Sequence, residues 1–417
     1  MYPKVIGSVG LPRMRDLVSH DTGNPHIQSL SRSKIPYFRK LASMINYLFM
    51  ILILFHAVTS FGADPFPVMQ GKDAKAPIQP QACGGPDGAL YLTFGAADQV
   101  YYCRIDETAK ASPQAAFRIP NMSLGMRRGP RIAHSQNAIA ISAIGGAIGK
   151  GRDGDVLAYR SLDQGKSWLG PVKVNDVEGS AREGLHAMCN SENGTIWCVW
   201  LDLREKGTTL FASKSTDGGA TWSKNVLVYR SPDGSICECC HPSIAVSGTS
   251  VHVLFRNSLK GNRDMYLVSS KDDGTTFGNA IRLGNSAWML NACPMDGGML
   301  AIDKNQHIAT TWRRDRSILQ AMASRDTETP LGIGEQPWIA SAADGFYTVW
   351  TSKRDGEMFL MKPNGTEPDR LGNKASFPIV VSIPSKSSAT AESSSKVYAF
   401  WEQRSDQGIT LLGQRIE

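Results

Sequence analysis

A short run of β-branched and aromatic residues recurs seven times along the chain. The runs are Ala89–Phe94, Ala138–Ile144, Ile196–Leu201, Val251–Arg256, His307–Arg313, Phe346–Thr351 and Val397–Glu402. A shorter apolar stretch precedes each, and a polar, often arginine-bearing turn leads to a further strand, such as Thr209–Ser213 or Asp264–Ser269. Alternation within the runs is imperfect, as expected for strands packed on both faces. The pattern predicts an all-β array of four-stranded antiparallel units with these runs as second strands. The last unit stops after its third strand at Glu417, so a segment near Pro65–Gln70 is expected to add the outer strand and close the array into a ring. Closure removes the exposed edge of an open sheet array. Ser382–Lys396, rich in Ser, Lys and Ala, reads as a flexible insertion in the last unit.

A second repeat reinforces the first. Ser161-Leu162-Asp163-Gln164-Gly165-Lys166-Ser167-Trp168, Ser215-Thr216-Asp217-Gly218-Gly219-Ala220-Thr221-Trp222 and Ser270-Lys271-Asp272-Asp273-Gly274-Thr275-Thr276-Phe277 share one pattern, their first aspartates 54 and 55 residues apart. Such a period marks a solenoid or a propeller. The Asp accepts hydrogen bonds from turn amides, Gly allows positive φ, and the aromatic anchors the turn. The pattern resembles the Asp boxes of sialidase-like β-propellers, and the resemblance extends over about residues 65–417. It implies a β-propeller of four-stranded antiparallel blades. The runs count seven blades, against the six typical of sialidases.

Composition sets the surroundings. Forty Gly and 22 Pro suit a turn-rich all-β chain. Of the formal charge of +7, residues 1–43 hold seven Lys/Arg and two Asp/Glu, leaving 38 − 36 = +2 for the rest. No basic stripe or aromatic-basic module is present, which argues against nucleic acid as a partner. Arg39 and Lys40, the apolar stretch Met44–Phe61 and the small-residue site Ser60-Phe61-Gly62 form a signal-peptide pattern, with cleavage expected beside Ala63. Residues 1–63 are therefore read as an extension and signal peptide, and 64–417 as a single propeller domain. Export to the periplasm or outside follows, with membrane attachment only if the segment stays uncleaved.

In an up-and-down blade, the turn between the third and fourth strands lies on one face of the disc. The turn between the second and third strands and the crossing to the next blade lie on the other. The Asp boxes are then structural, away from any site. The opposite face gathers Arg127, Arg128, Arg131, Arg182, Arg204, Arg256, Arg263, Arg313, Arg314 and Arg354, with Asp202, Asp264, Asp296, Glu335 and Glu402. Loops on one rim of a rigid scaffold commonly carry binding and catalysis. The arginines suit a carboxylate, sulfate or phosphate through bidentate pairing; the alternative is pairing with neighbouring carboxylates.

The sialidase resemblance supplies specific expectations. Sialidases hold the sugar carboxylate with three arginines and use a Tyr nucleophile assisted by Glu, with Asp as acid/base and no cofactor. Phe117-Arg118-Ile119-Pro120 matches the family's arginine motif, although the strand count puts it on an outer strand rather than the innermost. Arg256 and Arg313 are the candidates for the other two arginines, with Arg131, Arg204 and Arg314 also on the rim. Tyr347 or Tyr398 is the candidate nucleophile, Glu402 its partner, and Asp153 or Asp155 the acid. The reaction expected is glycoside hydrolysis on an acidic sugar, with an acidic glycan or other anionic small molecule as partner. A non-catalytic glycan- or protein-binding propeller is the alternative.

Cys237-Glu238-Cys239-Cys240-His241 lies outside the usual sialidase pattern. With Cys293 on the same rim, it could hold a soft metal such as copper or zinc and support metal- or thiol-dependent chemistry. Disulfides are the competing expectation: Cys293 to one of the trio, and Cys189 to Cys198. Along an extended strand, adjacent Cys239 and Cys240 would point opposite ways. Together with Phe255-Arg256-Asn257, Arg263-Asp264-Met265-Tyr266 and Cys293-Pro294-Met295-Asp296, this run resembles bacterial exported proteins labelled sialidase-like.

Overall fold

A computed structural model describes residues 63–417, apart from 107, 109, 325–326 and 385–393. The segment expected to be a signal peptide and most of the Ser/Lys-rich insertion lie outside the described residues. Among those described, the helix is a single 3-10 turn, Asp73–Lys75, and no helix is long and apolar enough to cross a membrane.

Five four-stranded antiparallel sheets follow in chain order, and a seven-stranded sheet completes the set. Blade 1 comprises Ile78–Gly84, Leu90–Ala96, Gln99–Ile105 and Gln114–Arg118. Blade 2 comprises Arg131–His134, Ile139–Gly145, Asp155–Ser161 and Leu169–Lys173; blade 3, His186–Asn190, Ile196–Asp202, Thr209–Ser215 and Val226–Tyr229. Blade 4 comprises Ser243–Ser247, Ser250–Arg256, Met265–Ser270 and Ile281–Arg282; blade 5, Met299–Ile302, Ile308–Arg314, Ser317–Met322 and Glu328–Ile333. The seven-stranded sheet divides at Asp369–Pro384, whose first part pairs with Gly356–Met361 and whose second part pairs with Ser395–Ser405. Blade 6 is thus Glu335–Ala342, Gly345–Thr351, Gly356–Met361 and the start of the long strand. Blade 7 is the end of that strand, Ser395–Ser405, Gly408–Arg415 and Phe66–Gly71. One channel of about 390 Å³ is lined by Ala82, Ile132, Met188, Ile244, Ala301, Ile339 and Val381, one from the innermost strand of each of these blades.

The expected second strands fall on the observed ones to within two residues at each end, except that the last runs three residues further, to Ser405. Their weak alternation has a packing cause. Leu90–Ala96, Ile139–Gly145 and Ile196–Asp202 are buried at every position, because each is covered on both sides by neighbouring blades. Between blades 3 and 4, Val199 and Leu201 meet Val251, Val253 and Phe255 in one apolar cluster. Each such fully buried side chain contributes about 1.5–3 kcal/mol. Outer strands such as Leu169–Lys173 are mostly exposed and carry little pattern.

The ring closes through the first described strand. Phe66–Gly71 runs antiparallel to Gly408–Arg415, and Val68 joins Leu411, Phe400 and the Leu90, Leu92 and Phe94 side chains in the core between blades 7 and 1.

The three Asp boxes are superposable in chemistry. Asp163 accepts the Ser167 amide (2.9 Å) and hydroxyl (2.5 Å), and Asp217 and Asp272 accept the same two groups from Thr221 and Thr276. The Ser167 hydroxyl first, then its amide, hold the Asp163 carboxyl down at about 2. Gly165 and Gly274 have φ of +89° and +74°, and a Cβ on either would overlap Tyr102 or Trp197 of the preceding blade. The boxes therefore fasten blade to blade.

Candidate functional site

Because each second strand runs outward from the Asp-box side, its last residues reach the face formed by the crossings. Arg256 and Arg314 end their strands there, and Arg131 opens an innermost strand. Their guanidinium groups are already engaged. Arg131 donates to the carbonyls of His186 (3.0 Å), Gly129 (3.1 Å), Pro130 (3.0 Å) and Arg127. Arg256 donates to the carbonyls of Asp296 (3.0 and 3.2 Å), Arg263 (2.6 Å) and Arg313 (2.9 Å). Arg204 pairs with Asp202 and Asp176 (2.8 and 2.7 Å) and stacks over Phe211; Arg314 pairs with Glu328. These arginines satisfy loop carbonyls and neighbouring carboxylates that burial would otherwise leave unpaired.

Arg127 does the same across the ring. From the crossing between blades 1 and 2 its Nη2 donates to the carbonyls of Gln336 (2.9 Å) and Pro378 (3.1 Å), in blades 6 and 7. Its guanidinium lies over Trp338 and Phe377. Burial lowers Arg127 and Arg131 to about 10 and about 9. Around Arg127 stand Asp296, which accepts the Gln336 amide (2.8 Å), and Glu402, which accepts the Gln79 amide (2.8 Å). Burial pushes the Glu402 carboxyl up to about 8. His241, stacked on Trp338, is held neutral by burial and by the nearby arginines. Arg127 Nε, both His241 ring nitrogens, Asp296 Oδ1 and Gln336 Nε2 are buried without hydrogen-bond partners.

Sialidase-type candidates are not gathered in one place. Arg256 and Arg313 converge, joined by the Arg313 carbonyl, with both guanidiniums near Trp288 (5.1 and 5.8 Å). Arg313 also reaches Asp296 (3.4 Å) and Glu335 (3.3 Å). Arg118 is exposed on the outer strand of blade 1, away from this pair, as the strand count anticipates. Tyr347 and Tyr398 are each 2% exposed in apolar clusters. Tyr347 lies near the start of its second strand, at the Asp-box side, where it donates to Asp344 (2.8 Å). A strand's two ends lie on opposite faces, so Tyr347 and Glu402 do not meet. Asp153 accepts the Ile148 and Gly149 amides of its own turn (2.9 and 2.6 Å), and Asp155 the Asn175 side chain and Gly179 amide (2.7 Å each).

All eight cysteines are free thiols. Cys189 pairs in register with Trp197 and Cys198 with Met188, which sends the two thiols to opposite faces of blade 3. The trio departs from the expectation of divergence. Residues 238–239 form a turn rather than a strand, so adjacent side chains converge. Cys237 Sγ lies 3.6 Å from Cys239 Sγ and 3.5 Å from Cys240 Sγ, and the latter two are 3.9 Å apart. Thiol donors from Cys239 and Cys240 hold Cys237 well below its ordinary value. Among the described residues these three alone form a metal-competent group, with His241 and Cys293 outside it. Cys293 is exposed and interacts with Cys239.

An open cleft of about 480 Å³ occupies the crossing face over blades 1 to 3. Asn121, Ser123, Arg128, Lys150, Arg182 and Glu183 line it. Arg128 Nε donates to the Glu183 carbonyl (2.7 Å), fixing one wall. Burial first, then the Glu238 carboxylate, raises Glu183 above the ordinary carboxyl range. None of the residues singled out for sialidase chemistry lines this cleft. Arg128 and Arg182 were visible in the rim pattern, whereas Lys150 in a Gly-rich turn gave no signal.

Residues 135–330 match the BNR repeat-like domain. No curated protein matches the chain in sequence. Among solved structures, an α-L-arabinofuranosidase from Fusarium graminearum in complex with an iminosugar inhibitor aligns at 10% identity and TM-score 0.47, covering 85% of this chain and 98% of that one. An ulvan lyase bound to a glucuronate–sulfated rhamnose unit aligns at 12% identity and TM-score 0.49, covering 84% and 94%. An intramolecular trans-sialidase from Ruminococcus gnavus in complex with oseltamivir carboxylate aligns at 10% identity and TM-score 0.45, covering 84% and 96%.

Proposed function

We propose, on the premise of a sialidase-like β-propeller whose residues 135–330 match BNR repeats, that the protein is an exported, glycan-acting propeller that takes acidic saccharides in its crossing-face cleft. The observation that carries the reading is the lining: Arg128, Lys150 and Arg182 face one open cleft with a single carboxylate, Glu183. Its volume of about 480 Å³ falls within the usual range for small-ligand sites. Three cations against one anion favour a carboxylate- or sulfate-bearing sugar over a neutral one. Glu183, raised by burial, is suited to donate a proton to a leaving oxygen. The engaged arginines around Arg256 serve the scaffold in this reading, and no cofactor is required.

Calorimetric titration with uronate-bearing, sialylated and neutral oligosaccharides tests it. Binding confined to the acidic ligands, lost in Arg128→Ala/Arg182→Ala, is the expected result. Equal binding of neutral sugars, or none of any, overturns the proposal. Turnover of a bound acidic glycan that disappears in Glu183→Gln while binding persists identifies an enzyme; binding without turnover by the unaltered protein identifies a lectin-like role.

A further inference from the structure

We propose that Cys237, Cys239 and Cys240 form a metal site that takes monovalent copper in three-sulfur coordination. Three sulfurs bound to one ion at about 2.3 Å stand about 3.8–4.0 Å apart in tetrahedral or trigonal arrangements. The observed separation of 3.9 Å falls in that range, and those of 3.5 and 3.6 Å lie a few tenths of an ångström short of it. Binding therefore needs a small outward shift of the sulfurs and no refolding of the turn.

The donor set selects the metal class. Sulfur alone is present: His241 is outside the group and stacked on Trp338. Glu238 instead accepts the Ser235 hydroxyl (3.2 Å). Met295 packs against the three thiols. All-sulfur sites favour monovalent copper, whereas structural zinc is usually closed by four ligands. A disulfide would use two of the three thiols and leave the third without a role.

The turn is held before any ion arrives. The Cys237 amide donates to the Arg256 carbonyl (3.1 Å), and Ile236 bridges Asn257. Arg256 in turn grips the Asp296 carbonyl, so the two crossings that carry Cys237 and Met295 are fastened together. On binding, sulfur–copper bonds replace S–H bonds, the thiol protons pass to solvent, and no electron is transferred.

The test uses the mature chain, reduced and kept anaerobic, titrated with copper(I) or zinc(II) against a chromogenic chelator. One copper retained per chain, with about three sulfur neighbours near 2.3 Å in copper-edge X-ray absorption, is the expected result. Cys237→Ser and Cys239→Ser should each weaken retention at least about tenfold, and Cys293→Ser should leave it unchanged. The absorption measurement needs no variant, so a substitution that impairs folding does not decide the outcome. No copper held against the chelator, or nitrogen and oxygen neighbours, overturns the proposal. Zinc held in preference to copper and lost in Cys293→Ser also overturns it, by identifying a four-thiolate zinc site. A Cys237–Cys240 disulfide in the protein isolated without reductant, with no copper bound after reduction, overturns it in favour of a redox pair.

Discussion

The Arg127 guanidinium lies 4.8 Å from the centre of the Trp338 ring, and the two residues come from blades on different sides of the channel. The arginine spans the mouth on the crossing face and ties blades 6 and 7 to the crossing between blades 1 and 2. This position explains why Arg127 is 2% exposed although it stands in an arginine-rich loop.

Arg127→Lys should keep the charge on a shorter side chain whose ammonium stops short of the Nη2 position that serves both carbonyls. One of the Gln336 and Pro378 carbonyls is then left without its partner, at a cost of about 1–3 kcal/mol. Thermal denaturation of the variant reads this loss. An unchanged melting temperature would show that the guanidinium does not brace the ring, whatever the ligand affinity of the cleft.

Glu402 gives a pH dependence with a definite sign. Its carboxyl is raised to about 8 in the fold by burial, from an ordinary value of 4.5. Between those values the native state holds a proton that the unfolded chain has lost, so stability falls as pH rises through the window and levels off above it. Glu402→Gln keeps an acceptor for the Gln79 amide and removes the titration. The variant should match the unaltered protein at pH 4–5 and exceed it by roughly 2–4 kcal/mol at pH 9. Parallel curves across the range would contradict this account.

Gly274 sits at φ +74°, where a Cβ would collide with the Trp197 indole. Gly274→Ala should therefore destabilise by about 1–3 kcal/mol or more, through overpacking and strain together. Gly219 has the same box position but a Cβ there would make only ordinary contacts, with Ala140 Cβ at 3.4 Å and Arg160 Cβ at 3.8 Å. Gly219→Ala should cost less, and comparing the two melting temperatures separates close approach from backbone conformation.

Deleting Phe66–Gly71 removes the partner of Gly408–Arg415 and uncovers that strand's edge. The truncated chain should melt earlier and self-associate, as unpaired strand edges do. Size-exclusion chromatography at two concentrations checks it. A monomer of unchanged stability would mean that the last blade stands without its outer strand.

The fold was legible because its strongest signals are repeated and local. Asp163, Asp217 and Asp272 each organise a turn within a few residues, and strands such as Ile196–Asp202 are apolar at every position but the last. The site was less legible because its contacts are remote in sequence. Arg127 meets a carbonyl 251 positions away, and nothing near it announces Pro378 as its partner. Arginines on a rim suggested anion binding, but Arg131 and Arg256 point into carbonyl-lined interiors. Tyr347 was placed on the correct strand, yet at the end near Asp344 rather than the crossing face. For the cysteines, the decisive fact was local conformation: a turn at 238–239 brings Cys239 and Cys240 together where an extended strand would part them.

The pairing of the first strand with the last hairpin also has a temporal side. As the chain emerges in order, Phe66–Gly71 has no partner until Gly408–Arg415 has been made. Blades 1 to 5, each built from consecutive strands, can form hairpin by hairpin, whereas the seal waits until Gly408–Arg415 is available. The last step of folding is then a long-range docking event, the kind of contact that slows folding most. An interrupted chain would remain an open arc.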